Sequence, residues 1–230
     1  MEIVIIVVVV AVFLVFAYFS HLHAKQRRLE LAAWAAEIGW PFDPEEDYSH
    51  DGEYPQFEIF SQGHSRYAYN TLTGTFDVGG QPCAAKMGDY HYQVTTHNDK
   101  GSTTHTYTFS YLIVHLPYRQ LPELMIRREG MFDAVKRAFG FDDIDFESAE
   151  FSQRFFVKSS DKRFAYDVIH PPVMEYLLAN ELPTIDVSGS CCCLADNSVW
   201  SADDFRRTLD CAKRFFDLWP KHLTSTLEPN

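Results

Sequence analysis

An uninterrupted apolar run near the N-terminus constrains this chain more than any other feature of its sequence. No charged or strongly polar residue interrupts the stretch from Ile3 to Phe19. As a helix rising ~1.5 Å per residue, it would be ~26 Å long, the lower end of what a bilayer core requires. Leu22 and Ala24 extend the apolar path. The run predicts a transmembrane anchor over residues 1–24, with the lipid bilayer as the partner of Ile3 to Phe19.

A cleaved signal peptide is the alternative interpretation, and it fits poorly. No basic residue precedes the run, and cleavage after Ala24 would place Leu22 where a small residue is expected. Lys25, Arg27 and Arg28 follow the run instead. Because basic residues favour the cytoplasmic side, we expect a single-pass protein of the cell (inner) membrane whose C-terminal domain is cytoplasmic.

The cysteines agree with a reducing compartment. Cys83, the run Cys191–Cys193 and Cys211 do not have the spacing of a disulfide framework, and adjacent cysteines rarely pair with each other. We expect reduced thiols that fill space like small apolar residues. No Asn-x-Ser/Thr sequon is present either.

The predicted anchor continues into a juxtamembrane helix over residues 25–39. Gly39 can close this helix and Pro41 cannot continue it. Apolar residues recur there with helical spacing, at Leu31, Trp34, Ala35 and Ile38.

Residues 40–230 are long enough to form one soluble domain with its own core. The formal net charge of the whole chain is −12. An acidic protein has no electrostatic reason to bind phosphate backbones, so the sequence argues against nucleic acid as a partner. We expect residues 40–63 to be irregular, with Glu45, Glu46 and Asp47 solvated.

The next part of the chain alternates polar and apolar residues, which predicts β-strands. A strand over about 65–78 is followed by a turn at Gly79-Gly80 and a new strand from Gln81. The clearest hairpin pairs Asp89–Thr96 with Thr104–Leu116. Shorter strands are expected at Leu124–Ile126, Phe155–Lys158, Thr184–Val187 and Cys191–Leu194.

Helices are expected late in the chain, so the fold class is α+β with a mostly antiparallel sheet. Predicted helices cover Glu129–Phe139, the residues between Asp161 and Pro171, and Pro172–Ala179, with an acidic loop at Asp142–Glu150. The last helix has the strongest signals, because Ser201 and Asp204 form a variant capping box. Its apolar stripe is Phe205, Leu209, Ala212, Phe216 and Trp219, with outer ion pairs Asp203–Arg207 and Asp210–Arg214.

Motif searches give no catalytic, cofactor-binding or metal-binding residue. Lys100-Gly101-Ser102 has the wrong order for a phosphate-binding loop, and no Gly-x-Ser-x-Gly is present. Successive side chains of a strand point to opposite faces, so the run Cys191–Cys193 lacks the two-residue gap that lets two thiolates bind one zinc ion. Cys191 and Cys193 could share a face, with Cys211 or a histidine completing a site. We expect apolar filler there.

Histidines on the 89–116 hairpin are the one set that could assemble a site. His91 and His97 have even spacing, as do His105 and His115, so each pair could share a face. Facing strands could then form a metal-binding or pH-sensing cluster. The simpler expectation is isolated histidines on a sheet.

The segment from Phe151 to Leu177 resembles a pattern in a family of uncharacterised bacterial membrane-anchored proteins. In that family a strand ending in Val/Tyr-x-Ser-x-Asp precedes an Ala-Arg/Tyr helix, a proline and a Met-Glu-x-Leu helix. The matching positions are Phe156, Val157, Ser159, Asp161, Ala165, Tyr166, Pro171, Met174, Glu175 and Leu177. With a looser match around Tyr69, Leu72 and Gly74, the resemblance covers roughly two thirds of the chain. The family has no assigned activity, so the resemblance implies the architecture and no site residues.

These observations favour a non-enzymatic, membrane-tethered cytoplasmic domain that binds an unknown ligand, which is a protein or a lipid-proximal partner at the membrane. The alternative is a hydrolase or metal-dependent enzyme that uses the histidines of the 89–116 hairpin. Convergence of three of those histidines with an acid in one pocket would distinguish the enzyme from the binding domain.

Overall fold

A computed structural model describes residues 2–98, 101–129 and 144–226. Its helices are α1 Glu2–Ile38, α2 His50–Glu53, α3 Ala149–Arg154, α4 Lys162–Val168, α5 Pro171–Ala179, α6 Ala202–Asp217 and α7 Lys221–Thr226, with a 3-10 turn at Glu58–Ser61. Its strands are β1 Phe42–Asp43, β2 His64–Val78, β3 Gln81–Asn98, β4 Gly101–His115, β5 Leu121–Arg128, β6 Phe155–Ser159, β7 Thr184–Gly189 and β8 Cys191–Ala195.

The described strands form one eight-stranded sheet in the order β1-β2-β3-β4-β8-β7-β5-β6, and every pairing is antiparallel. The predicted α+β class, with a mostly antiparallel sheet, is therefore confirmed. The Gly79-Gly80 turn is also confirmed, since both residues have positive φ. The predicted hairpin is longer than expected, because β3 and β4 stay in register from Ala85–Val114 to Asn98–Gly101.

The sheet separates two apolar cores because β3 and β4 are buried on both faces. On the helical face, Met87, Leu112 and Val114 pack in one cluster with residues of α1 and α6. On the opposite face, which we call the aromatic face, Tyr90 and Tyr111 belong to a second cluster. Three fully buried aromatic side chains from residues 54–60 complete that cluster, namely Tyr54, Phe57 and Phe60. Residues 40–63 are mostly irregular, as predicted, but they cover a core.

Helix α1 joins the helical-face core through its C-terminal half. Leu31, Trp34 and Ala35 are buried, and the Trp34 ring stacks on Phe205 at 5.7 Å between ring centroids. Gly39 ends the helix with φ +72°, as predicted. The following Trp40 lies so close to Gly74 that a Cβ there would be 2.2 Å from the indole ring.

Several sequence-based expectations need correction. The last two residues of the predicted loop Asp142–Glu150 belong to α3, because the Ser148 side chain accepts a hydrogen bond from the Phe151 N–H and caps that helix. In α6 the capping box is present, but arginines pair at i,i+3 instead of i,i+4, as Arg206–Asp203 and Arg207–Asp204. The predicted helix Glu129–Phe139 lies almost wholly outside the described residues.

No helix among the described residues has both the length and the apolar character needed to cross a membrane. Most side chains of the run Ile3 to Phe19 lie outside the described set. The anchor stays a prediction from the sequence.

Candidate functional site

A buried ion pair fixes α1 to the sheet. Both carboxylate oxygens of Asp89 accept hydrogen bonds from Arg27, from Nη2 at 2.6 Å and from Nε at 2.7 Å. The Asp89 side chain is fully buried, and that of Arg27 is 21% exposed. Arg27 Nη1 also donates to the Trp200 carbonyl at 2.8 Å. The guanidinium therefore joins α1, β3 and the loop before α6 at one point.

Two more side chains complete the shell of Asp89. Asn70 Nδ2 donates to Oδ2 at 2.9 Å, and Ser110 Oγ donates to Oδ1 at 2.7 Å. Asn70 has φ +51° at an irregularity of the β2–β3 register, and asparagine adopts this left-handed conformation more easily than most residues. These hydrogen bonds satisfy both oxygens of a buried carboxylate, and we call the network of Arg27, Asp89, Asn70 and Ser110 the clamp.

The clamp also fixes the direction of α1 along the sheet. Trp40, at one end, packs on Gly74, which pairs with Ala85 of β3. Arg27 binds Asp89, four residues further along the same strand. Moving from Trp40 towards the N-terminus of α1 therefore follows β3 from Ala85 towards Asn98.

The outer part of the β3–β4 hairpin projects past its last pairing with β2, at His64–Gln93, and we call residues 91–108 the arm. Its residues are mostly exposed from Thr96 to Tyr107. Cross-strand contacts hold it together: the hydroxyls of Thr95 and Thr104 are 2.8 Å apart, and the Tyr92 and Tyr107 rings stack at 5.1 Å. At ~3.3 Å per residue, the strand from Asp89 to Asn98 reaches ~30 Å past the clamp.

The hairpin histidines do not converge. His91 pairs with Thr108 and His105 pairs with Val94, so His91 and His97 lie on the helical face while His105 and His115 lie on the aromatic face. The predicted sharing of a face within each pair is right, but a joint cluster is excluded. His91 stacks on Tyr67 at 4.5 Å, and His97 and His105 are exposed.

A separate polar cluster lies at the far end of the aromatic face, beneath α2. Lys86 Nζ donates to Asp47 at 3.1 Å and to Glu53 at 2.8 Å. His50, also from α2, is fully buried among aromatic rings, and neither of its ring nitrogens has a hydrogen-bond partner among the described residues. Burial and the nearby Lys86 lower the pKa of His50 to about 3, so its imidazole is neutral.

Sequence reasoning missed this cluster because its members come from an irregular segment and a distant strand. Asp47, expected to be solvated, pairs with Ala68 through two backbone hydrogen bonds. Burial opposes its ionisation, but hydrogen bonds from Ser49 and Lys86 outweigh burial and lower the pKa of Asp47 to about 2. The spacing Asp47, His50, Glu53 was visible in the sequence, but no motif marked it.

A cysteine and a histidine meet at the edge of the same cluster. Cys191 Sγ lies 3.5 Å from His115 Nδ1, and His115 Nε2 lies 3.1 Å from the Tyr54 hydroxyl. Cys191 and Cys193 share the aromatic face, as predicted, and all five cysteines are free. Burial raises the pKa of the Cys191 thiol, so this pair lacks the thiolate that nucleophilic catalysis requires.

Comparison with known proteins gives a fold likeness. No protein-family model matches the chain, and no curated protein is similar to it. The crystal structure of the mycobacterial trehalose monomycolate transport factor A, TtfA, is similar, with a TM-score of 0.56 and 13% sequence identity. The similarity covers 86% of this chain and 96% of that one. At this identity the likeness establishes the fold alone.

Proposed function

We propose that this chain is a non-enzymatic, membrane-tethered binding domain of a bacterial cell. In this proposal Ile3 to Phe19 is the anchor, the folded domain is cytoplasmic, and the arm binds a protein partner at the membrane. The resemblance of residues 151–177 to membrane-anchored bacterial proteins supports the tether. The protein of similar fold is named as a transport factor and not as an enzyme. We extend that class of role, without its substrate, to this chain.

The proposal rests on one observation. Followed towards its N-terminus, α1 points in the same direction as the arm. Because α1 is continuous from Glu2 to Ile38, the direction set by the clamp applies to the apolar run as well. Phe19 would lie ~12 Å beyond Arg27 along the helix, whereas the tip of the arm lies ~30 Å beyond Asp89 along β3. Because the arm reaches further in this direction than Phe19 does, an anchored domain would bring the arm to the bilayer.

The arm carries less net charge than the rest of the chain, and this suits a position near a membrane. Residues 91–108 contain one acidic residue, Asp99, and one basic residue, Lys100, whereas the whole chain carries a formal charge of −12. The arm therefore adds little to the repulsion between an acidic protein and an anionic membrane surface.

Photo-crosslinking in native membranes tests the proposal. A photoreactive residue replacing Thr106 on the exposed arm should give a discrete adduct with a membrane protein. The same residue replacing Arg163, whose side chain is 91% exposed on α4, is the control and should give none. Equal adducts at both positions, or adducts with lipid only, would contradict a protein partner for the arm.

A shortened arm provides the matching loss-of-function variant. Val94 and His105 face each other in the hairpin, so an Asn-Gly turn can replace residues 95–104 without changing the register of the body. This variant should stay folded and membrane-bound but lose the Thr106 adduct. The enzymatic alternative is not proposed, because His91 and His97 lie on the face opposite His105 and His115.

A further inference from the structure

Three side chains with metal-binding atoms converge where α2 crosses the aromatic face. One such atom from each of Asp47, His50 and Glu53 lies within 4.8 Å of the other two. The geometry points to a binding site for a divalent transition-metal ion, and we propose that these residues bind Zn²⁺ or a similar ion. This inference concerns the face of the sheet opposite α1 and is independent of the proposed tethering function.

His50 is the observation that calls for a ligand. Asp47 and Glu53 would be explained by Lys86 alone, because an ammonium group between two carboxylates forms an ordinary ion-pair network. His50 has no such explanation, since it is fully buried and both its ring nitrogens lack partners among the described residues. Burying an imidazole without hydrogen bonds is unfavourable, and a metal ion bound to one nitrogen would compensate for that loss.

The donor set identifies the class of metal. One imidazole nitrogen and two carboxylate oxygens are ligands that Zn²⁺ accepts, whereas Mg²⁺ and Ca²⁺ prefer oxygen ligands alone. Ligand atoms about 2.1 Å from a tetrahedral ion are roughly 3.4 Å apart. The ligand atoms, now within 4.8 Å of one another, therefore need to approach by up to about 1.4 Å, which rotations of the Asp47 and Glu53 side chains can supply. Water would complete the coordination.

Lys86 already places a positive charge at this position. Its Nζ lies 3.1 Å from Asp47 and 2.8 Å from Glu53, so it holds both carboxylates close together in the metal-free protein. A divalent ion would replace this ammonium, and the flexible lysine side chain can swing towards solvent. Metal binding is therefore an exchange of one cation for another.

Because Lys86 and Zn²⁺ would compete for the same carboxylates, removing Lys86 should strengthen Zn²⁺ binding, and the experiment tests this direction. We would titrate Zn²⁺ into the full-length protein in detergent after removal of metals with a chelator, following heat and melting temperature. The wild-type chain should bind one equivalent at this site and melt at a higher temperature with Zn²⁺. Lys86→Met should tighten binding about tenfold or more, because the competing cation is gone. The same variant should melt lower than wild type without Zn²⁺ and recover when the ion is added.

Loss of a ligand should have the opposite effect. His50→Gln should weaken binding at this site more than ~100-fold, and Glu53→Gln, at a half-exposed position, provides the same test if His50→Gln does not fold. His64→Gln, at an exposed histidine outside the cluster, should leave the affinity unchanged. Zn²⁺ binding that survives both ligand substitutions, no Zn²⁺ binding by the wild type, or unchanged or weaker affinity in Lys86→Met would overturn the proposal.

Discussion

Arg27 and Asp89 lie 62 positions apart in the sequence, yet their two hydrogen bonds join α1 to the middle of β3. Arg27→Met would leave a fully buried carboxylate without its countercharge, which costs about 3 to 5 kcal/mol in comparable cases. We expect that loss in the free energy of unfolding, measured with denaturant. Arg28→Met is the matched control, because Arg28 is exposed and should contribute less than ~0.5 kcal/mol. Similar losses for both variants would show that the ion pair does not hold α1.

Truncation separates the part of α1 that belongs to the fold from the part that precedes it. A chain beginning at Lys25 keeps Arg27 and the buried residues Leu31 and Trp34, so it should be soluble and unfold cooperatively. A chain beginning at Trp40 loses these contacts, which contribute about 5 kcal/mol at usual values per buried side chain. That is comparable with the stability of a whole domain, so the shorter chain should be aggregated or molten. Circular dichroism and thermal melts would distinguish the two, and an aggregated Lys25 chain would show that the fold needs the preceding segment.

The apolar face of α6 can be tested with one substitution on each side. Phe216 is buried against Phe76 and Trp219, so Phe216→Asp places an unpaired charge in the helical-face core and should cost several kcal/mol. Asp210 is exposed on the outer side, and Asp210→Asn should change the stability by ~0.5 kcal/mol at most. The yield of soluble protein and the melting temperature are the measurements, and equal losses for both variants would reassign the buried face.

Local sequence signals were sufficient to predict most helices, strands and turns of this fold. The features that the sequence did not predict depend on pairings between distant parts of the chain. The capping box at Ser201, the Gly79-Gly80 turn and the alternation in β4 act over a few residues, so the sequence displayed them. The insertion of β7 and β8 between β4 and β5 has no local signal. Likewise, the irregular segment with Phe57 and Phe60 has no periodicity that would indicate burial.

The candidate functional sites were harder to predict from the sequence than the helices and strands. From the sequence alone Arg27 is only a charge that follows the apolar run, because its partner Asp89 lies on a distant strand. His50 carried no motif, whereas the hairpin histidines formed a conspicuous set that the register then divided between two faces. Even spacing correctly predicted a shared face within each strand. It could not predict that the two strands place their histidines on opposite faces.

The stability of the domain should depend on Asp186 between about pH 4 and pH 7. Burial, followed by the charges of Glu123 and Glu58, raises the pKa of Asp186 from 3.8 to about 7. The folded protein therefore keeps a proton that the unfolded chain has released. Stability contributed by the protonated group is present below about pH 4 and is lost as the pH rises towards 7, by at most about 1.4 kcal/mol per pH unit.

Asp186→Asn isolates this contribution, because asparagine does not titrate. The free energy of unfolding of the wild type relative to Asp186→Asn should fall between pH 4 and pH 7 and change little above pH 7. Denaturant titrations of both proteins at several pH values would measure it. A difference that is constant with pH, or that rises, would show that Asp186 is ionised in the folded protein.

Reporter fusions test the predicted topology. A C-terminal fluorescent protein that matures only in the cytoplasm should be fluorescent, and a C-terminal alkaline phosphatase fusion should be inactive. The prediction rests on Lys25, Arg27 and Arg28, the basic residues that follow the apolar run. Active phosphatase together with a dark fluorescent protein would reverse the assignment and remove the basis for reduced cysteines.

The clamp also determines what a tilt of the proposed anchor would do. A flexible linker would isolate the domain from such motion, but α1 is one helix and is locked at Arg27. The helix and the sheet would therefore rotate together as one rigid body about the clamp. A tilt of about 10°, within the range common for membrane-spanning helices, would sweep the tip of the arm through roughly 5 Å. The thickness or curvature of the bilayer would thus shift the lateral position at which the arm meets its partner.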